Sequence, residues 1–143
     1  MALQHARPSC AGLSVLVIDD NHYLRDIVRT ILELEGAVVF EAASLGQAQA
    51  LLEKDVPDAI VTDLQLSSEE CGGVVILEHV KRRFPVCAVL VLTGRTDAYD
   101  ELRGIGFDAV LLKPTSTTDL VAAVLAAVGR YRRTANRHTS TAA

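Results

Sequence analysis

Polar residues with complementary chemistry follow four apolar segments of the chain. Asp19 and Asp20 come directly after "SVLVI", Asp63 after "DAIVT", Thr93 after "AVLVL" and Lys113 after "DAVLL". Adjacent carboxylates repel each other, and removing them from water is unfavourable unless a positive charge compensates. Three carboxylates provide the hard oxygen ligands that Mg²⁺ prefers. With a metal bound, one of them could attack phosphorus and become an aspartyl phosphate.

The single aspartate is the predicted nucleophile of this set. Asp63 follows a central apolar segment alone, whereas the adjacent acidic pair is better suited to hold a cation. Lys113 would contribute a positive charge and Thr93 a hydroxyl donor to the phosphoryl oxygens. Gly94 would leave space for the phosphoryl group to approach.

The elements that must position these residues alternate along the chain. Five short runs, rich in β-branched residues and apolar on both faces, predict strands covered on both sides: residues 14–18, 37–42, 58–62, 88–92 and 108–112. The intervening segments show helical spacing, capping signals or a proline stop, and they cover residues 22–35, 44–54, 74–84, 97–104 and 116–131. Five βα units predict an α/β fold with a parallel sheet and helices on both faces.

A parallel sheet would bring the polar residues together. Ligands of open α/β sheets bind at the carboxyl ends of the strands, near the switch in strand order. Since the three carboxylates, the hydroxyl and the ammonium all follow strands, they are predicted to converge on this edge.

Composition excludes several other classes of protein. The 143 residues are half hydrophobic, which is typical of a soluble globular domain. The longest apolar run is Val86 to Leu92, too short for a membrane span, and the N-terminus lacks the apolar region of a signal peptide, so the predicted location is cytoplasmic. Three widely spaced cysteines support neither a zinc site nor a disulfide framework.

Charge divides the chain unevenly. Residues 130–143 hold four arginines and no acid, so the remaining residues carry −8 (−4 for the chain less +4 for this segment), which argues against nucleic-acid binding by the body. We predict an N-terminal extension over residues 1–12, one domain over residues 13–130 and a basic flexible C-terminal tail over residues 131–143.

The motifs together resemble the receiver domain of bacterial two-component response regulators. The resemblance covers roughly residues 13–130 and rests on "VLVIDDN" with Arg25 beyond it, "DAIVTDLQL", "VLTG" and "LLKP". It implies a flavodoxin-like doubly wound (βα)5 fold with strand order 2-1-3-4-5. It also implies a cis peptide bond between Lys113 and Pro114.

The resemblance assigns a function to each polar residue. Asp63 would accept a phosphoryl group from a histidine kinase or a histidine phosphotransfer protein. Mg²⁺ would be held by Asp19, Asp20, Asp63 and the backbone carbonyl of Gln65. Thr93 and Lys113 would bind the phosphoryl group.

Receivers act as switches in phosphorelays, without a dedicated turnover substrate. Phosphorylation would bias a pre-existing two-state equilibrium and rearrange the face formed by the fourth helix, fifth strand and fifth helix. A downstream effector protein, or a second copy in a dimer, would bind that face. No membrane or nucleic-acid partner of this domain is expected.

Some positions depart from the family pattern. Val110 stands three residues before the lysine, where an aromatic switch residue is common, and Tyr99 is the candidate substitute. The loop after Asp63, "LQLSSEECGG", is acidic where a proline-containing turn is common. Gln65 and Arg95 lie two residues after the acceptor and the threonine, at positions that tune the lifetime of the phosphoryl group in this family.

Two alternatives remain open at the level of sequence. A haloacid-dehalogenase-like small phosphatase also combines an aspartate nucleophile, Thr, Lys and Mg²⁺, but it expects a carboxylate where this chain has Gln65, and a cap domain for which the chain has no room. A receiver-like docking module, or a flavodoxin-like carrier, would act without phosphorylation. The docking module would have no need of the five polar residues, and "DDNHY" would repel the phosphate of a flavin.

Overall fold

The fold is a five-stranded parallel sheet with helices on both faces, described here from a computed structural model. The structure describes the backbone of residues 9–64, 72–97, 100, 102 and 106–141, and the side chains of these residues except 72, 73, 77 and 133–141. Its elements, in chain order, are β1 (Ser14–Ile18), α1 (His22–Leu34), β2 (Val38–Ala42), α2 (Leu45–Lys54), β3 (Ala59–Asp63), α3 (Gly72–Arg83), β4 (Ala88–Thr93), β5 (Ala109–Leu112) and α4 (Thr117–Thr141).

The strands lie in the order β2-β1-β3-β4-β5, and every neighbouring pair is parallel. This confirms the predicted flavodoxin-like order. Because side chains alternate across a strand, β1 sends Val15 and Val17 to one face and Leu16 and Ile18 to the other. An apolar strand with no polar alternation therefore needs a helical layer on each side.

Each face of the sheet has its own apolar core. One core packs Val28 and Leu32 of α1 and Val124 of α4 against β1, β3 and β4. The other packs Leu52 of α2 and Ile76 of α3 against the opposite side of the same strands. Two layers of helices thus bury the three central strands and hold their carboxyl ends in fixed register.

The outer strands differ from the prediction that all five would be covered on both sides. In β2, Val38 is 58% exposed and Phe40 is 43% exposed, and in β5 Leu112 is exposed. These strands lie at the two edges of the sheet, and each has a neighbouring strand on one side only. Apolar composition predicted a strand in each case but not its place in the sheet.

Both ends of the chain also differ from prediction. Helix α4 continues to Thr141, ten residues past its predicted end, so residues 131–141 are helical and not an irregular tail. Gly129 lies within this helix, and no proline follows it to end the helix. At the other end, Cys10 is fully buried, and its N–H donates to the carbonyl of Glu35 (2.9 Å). The last residues of the predicted extension therefore pack on the domain.

Of the fourth predicted helix, at 97–104, only residues 100 and 102 are described as helical. Leu102 is fully buried and packs in the core that also contains Leu52 and Ile76. Among the helices in the described part of the chain, none has the length and apolar character needed to cross a bilayer.

Candidate functional site

The carboxyl edge of the sheet brings the predicted site residues together. Asp63 is the last residue of β3 and Thr93 is the last residue of β4. Asp19 follows β1, and Lys113 follows β5, where its N–H donates to the carbonyl of Thr93 (2.8 Å). The parallel register of four adjacent strands thus explains why residues up to 94 positions apart in the chain meet.

Three carboxylates form the centre of the site. Oxygens of Asp19, Asp20 and Asp63 lie within 4.8 Å of one another. Asp19 is buried, Asp63 is half-buried and Asp20 is exposed, so the cluster opens to solvent on one side. Three hard oxygen donors with solvent access match the preference of Mg²⁺ for one or two carboxylates together with water and phosphate oxygens. The residues present therefore fit the predicted metal.

Lys113 supplies positive charge to this cluster. Its Nζ lies 3.2 Å from Oδ2 of Asp19 and 3.4 Å from Oδ2 of Asp63, and its side chain is only 21% exposed. The Lys113–Pro114 peptide bond is cis, as the resemblance implied. Partial burial weakens solvent screening, so the ammonium offsets part of the repulsion between the two carboxylates.

Thr93, the last residue of β4, binds the loop that follows this strand. Its side chain is 2% exposed, and its Oγ1 accepts a hydrogen bond from the N–H of Arg95 (3.1 Å). The guanidinium of Arg95 contacts both carboxylate oxygens of Asp97, at 3.2 and 3.0 Å. That side-chain hydrogen bond holds the pKa of the Asp97 carboxyl below its usual value. Gly94 is exposed, and a Cβ there would meet nothing within 4 Å.

Val110 lies within β5, three residues before Lys113. It is half-buried and packs against the core that contains Leu52 and Ile76. A valine has no ring that could swing between buried and exposed positions, so its role in a switch stays a prediction. Gln65 and Tyr99 lie outside the described residues, as does the acidic part of the loop after Asp63.

Exposed apolar side chains of α1 lie beside the site. Tyr23 is 78% exposed and Ile27 is 55% exposed. A cavity of about 130 Å³ is lined by residues of α1, by Asp19 and by the loop from Lys113 to Thr115. A larger cavity of about 150 Å³, lined by Ser14, Leu16, Phe40, Leu51, Lys54, Asp55 and Pro57, lies away from the carboxylates. We assign the chemistry to the carboxyl edge, because the convergent charged groups are there.

The opposite edge of the sheet holds polar contacts that the sequence interpretation missed. Asp58 accepts a hydrogen bond from the N–H of Ser14 (2.9 Å) and lies 3.9 Å from Arg132. The segment before a strand is short of backbone partners, and a carboxylate there can accept from the neighbouring strand. Asp58 is therefore a structural residue.

Asp108 plays a similar part at the start of β5. Its carboxylate accepts from the N–H of Val89 (2.7 Å) and from the hydroxyl of Tyr131 (2.9 Å), and it lies 3.5 Å from Nζ of Lys81. Burial, with the nearby Asp108 carboxylate, raises the pKa of the Cys87 thiol to about 12. This thiol is therefore neutral at physiological pH and a poor nucleophile.

Comparison with known families gives one match over most of the chain. The family model described as "Response regulator receiver domain" matches residues 15–125. This range includes the three carboxylates, the threonine and the lysine of the site.

Individual relatives and a solved structure agree with this match. A putative NtrX-like response regulator of Rickettsia bellii is 34% identical over 82 residues, which are 57% of this chain and 17% of the relative. An uncharacterised 14.6 kDa protein of Leptolyngbya boryana is 31% identical over 116 residues, covering 78% of this chain and 86% of the relative. The crystal structure of a receiver domain protein of Clostridium thermocellum superposes with a TM-score of 0.76 at 27% identity, covering 84% of this chain and 97% of that one. The chain thus spans about a sixth of the NtrX-like relative.

Proposed function

The chain belongs to the response regulator receiver domain family, and on that premise we propose that it accepts a phosphoryl group on Asp63 in a Mg²⁺-dependent reaction. The observation that supports this most directly is the position of Asp63. Its carboxylate ends the central strand β3, lies in the carboxylate cluster and is 3.4 Å from the ammonium of Lys113. A nucleophile, a set of metal ligands and a cation for the phosphoryl oxygens are thus present together.

The proposed reaction transfers a phosphoryl group from a donor atom to the carboxylate of Asp63. An oxygen of the Asp63 carboxylate attacks phosphorus, the bond between phosphorus and the donor atom breaks, and the electron pair leaves with the donor. Lys113 would contact the phosphoryl oxygens, and Thr93 would turn its hydroxyl toward them as a donor. Asp19, Asp20, Asp63 and the backbone carbonyl of Gln65 would hold Mg²⁺, and the bound ion would supply positive charge for the transfer.

The proposed donor is a phosphohistidine of a histidine kinase or a histidine phosphotransfer protein. Tyr23 and Ile27 of α1 are exposed, and Ile27 lines a cavity with Asp19 and Lys113, so this helix offers such a partner an apolar surface. Contiguous exposed apolar side chains of this kind are typical of protein interaction sites.

The proposed output is a change in protein interactions. The family acts as a signalling switch, and turnover of a small phosphate ester would instead favour the phosphatase alternative. A downstream effector or a second copy would bind the face made by residues 97–104, β5 and α4, part of which lies outside the described residues. Val110, Gly94, Arg95 and Tyr99 are the proposed switch and tuning residues. Location in the cytoplasm is part of the same proposal.

Beryllofluoride, a mimic of a phosphoryl group, tests the acceptor without a kinase. With Mg²⁺ present, we expect it to shift backbone amide resonances of Thr93, Lys113 and their neighbours in the wild type. Asp63→Ala should abolish these shifts, because the mimic needs the carboxylate as a ligand. A matched control, Asp58→Ala, removes a carboxylate from the opposite edge of the sheet and should leave the response intact. Equal responses of wild type and Asp63→Ala would overturn the assignment.

A further inference from the structure

Arg25 links the loop that carries two of the carboxylates to the neighbouring helix and strand. Its Nη1 donates to the backbone carbonyl of Asp19 (2.7 Å), and its Nε donates to Oε1 of Glu41 (3.1 Å). The side chain is only 14% exposed. One planar guanidinium therefore connects α1, β2 and the loop after β1, with two donors in fixed relative orientation.

The loop is held on its other sides as well. The N–H of Asp19 donates to the carbonyl of Ala42 (3.1 Å), the residue after Glu41 in β2. Oδ1 of Asp19 accepts from the N–H of Asn21 (2.9 Å), and Oδ2 accepts from Lys113 (3.2 Å). Arg25 holds the Asp19 carbonyl from the first turn of α1.

Glu41 orients Arg25 and balances its charge. Besides Arg25, it accepts from Nη1 of Arg29 (2.9 Å), which also pairs with Asp26 and Glu33. A cation so close to the three carboxylates would by itself weaken the binding of a metal ion. Pairing with Glu41 reduces that repulsion and leaves the fork of Arg25 free to bind the backbone.

We propose that Arg25, oriented by Glu41, is a positioning residue of the metal centre: it holds the Asp19 carbonyl and thereby keeps the carboxylates of Asp19 and Asp20 where Mg²⁺ is bound. The inference rests on the proposed function, since it assumes that these carboxylates bind Mg²⁺. Partners of this kind, one step removed from the metal ligands, affect metal affinity because they restrict the ligands to the binding geometry.

The two roles that Arg25 could have predict opposite effects of the same substitution. If the arginine acted only through its charge, Arg25→Gln would strengthen Mg²⁺ binding, because it removes a nearby positive charge. If it acts by positioning, Arg25→Gln weakens Mg²⁺ binding by about tenfold. Arg29→Gln is the matched control: it removes the same charge from the same helix and from the same Glu41, but it leaves the Asp19 carbonyl bound.

Isothermal titration with Mg²⁺ alone measures these affinities on the full chain, and chemical denaturation in the absence of metal reports whether each variant folds. We expect Arg25→Gln and Glu41→Gln to bind Mg²⁺ with a higher Kd than the wild type. The Kd of Arg29→Gln should be nearly unchanged. If Arg25→Gln does not fold, Arg25→Lys serves instead, because its single ammonium cannot bind Asp19 and Glu41 in the same geometry. An Mg²⁺ affinity of the Arg25 variant equal to or tighter than that of the Arg29 variant overturns the inference.

The same titration separates failure of the proposed function from failure of the positioning role. Asp20→Asn removes one proposed ligand, and its titration gives the Mg²⁺ binding that remains without that ligand. If wild type and Asp20→Asn titrate alike, the metal centre itself is wrong. If they differ but the Arg25 variant matches wild type, only the positioning role is wrong.

Discussion

At the scale of single residues, Lys113 reduces the cost of placing the carboxylates close together. Its ammonium lies within 3.4 Å of both Asp19 and Asp63, and Asp19 is only 4% exposed. Removal of a partner from such a pair leaves a desolvated charge without compensation. The same removal makes the local potential more negative, which favours a cation.

Lys113→Met should therefore change stability and metal affinity in opposite directions. We expect the free energy of unfolding without metal to fall by about 2 kcal/mol, and the affinity for Mg²⁺ to rise. Denaturant titration and calorimetric titration measure the two quantities. Lys54→Met, at an exposed position of α2, is the control and should change neither. A Lys113 variant as stable as wild type would mean that the ammonium does not stabilise the cluster.

The site residues were predictable from the sequence to an uneven extent. The meeting of Asp19, Asp63, Thr93 and Lys113 was predictable because each follows an apolar run, and parallel strands share one carboxyl edge. The contacts of Arg25 were not predictable. They depend on which strand lies beside α1, and sequence spacing does not reveal that strand. The hydrogen bond between Asp58 and Ser14 was missed for the same reason.

At the scale of elements, the amino edge of the sheet fixes the C-terminal helix. The hydroxyl of Tyr131 in α4 donates to Asp108 (2.9 Å) and accepts from Nζ of Lys81 in α3 (2.6 Å). Asp108 in turn accepts from the N–H of Val89 in β4. One hydroxyl thus connects two helices on opposite faces of the sheet through the start of β5.

Tyr131→Phe should destabilise the fold while leaving the ring in place. Loss of the hydroxyl leaves Asp108 and Lys81 each short of a partner, and hydrogen bonds to charged groups contribute about 1.5 kcal/mol or more. We expect the free energy of unfolding to fall by about that amount in urea. The control is Tyr23→Phe, at a position 78% exposed, with an expected change below about 0.5 kcal/mol. Equal stability of the two variants would show that the Tyr131 hydroxyl contributes nothing.

The elements themselves were largely predictable. Short apolar runs predicted all five strands, and helical spacing, capping signals or a proline stop predicted the three helices between β1 and β4 and the helix after β5. The exposure of Val38 and Phe40 was not predictable, because composition does not tell an edge strand from a central one. Nor was the extent of α4: its last three turns, over residues 131–141, contain many polar residues, and polar composition alone was interpreted as a tail.

At the scale of the whole molecule, the two edges of the sheet have different roles. The carboxyl edge gathers three carboxylates around the Lys113 ammonium. At the amino edge, the ion pairs and hydrogen bonds of Asp108 hold α4 in place. A rigid frame around this polar cluster suits the proposed function, because the frame would limit the response to phosphorylation to the groups near Asp63. The whole-molecule prediction is therefore that phosphorylation occurs at one position.

The most direct measurement of the central claim is the site and metal dependence of phosphorylation by a small donor. With phosphoramidate and Mg²⁺, followed by borohydride reduction, which converts an aspartyl phosphate to homoserine, peptide mass spectrometry identifies the modified residue. We predict one modification, at Asp63, that is absent from Asp63→Asn and absent when Mg²⁺ is chelated. Modification at Asp19 or Asp20 in the wild type, or undiminished labelling of Asp63→Asn, would contradict the account.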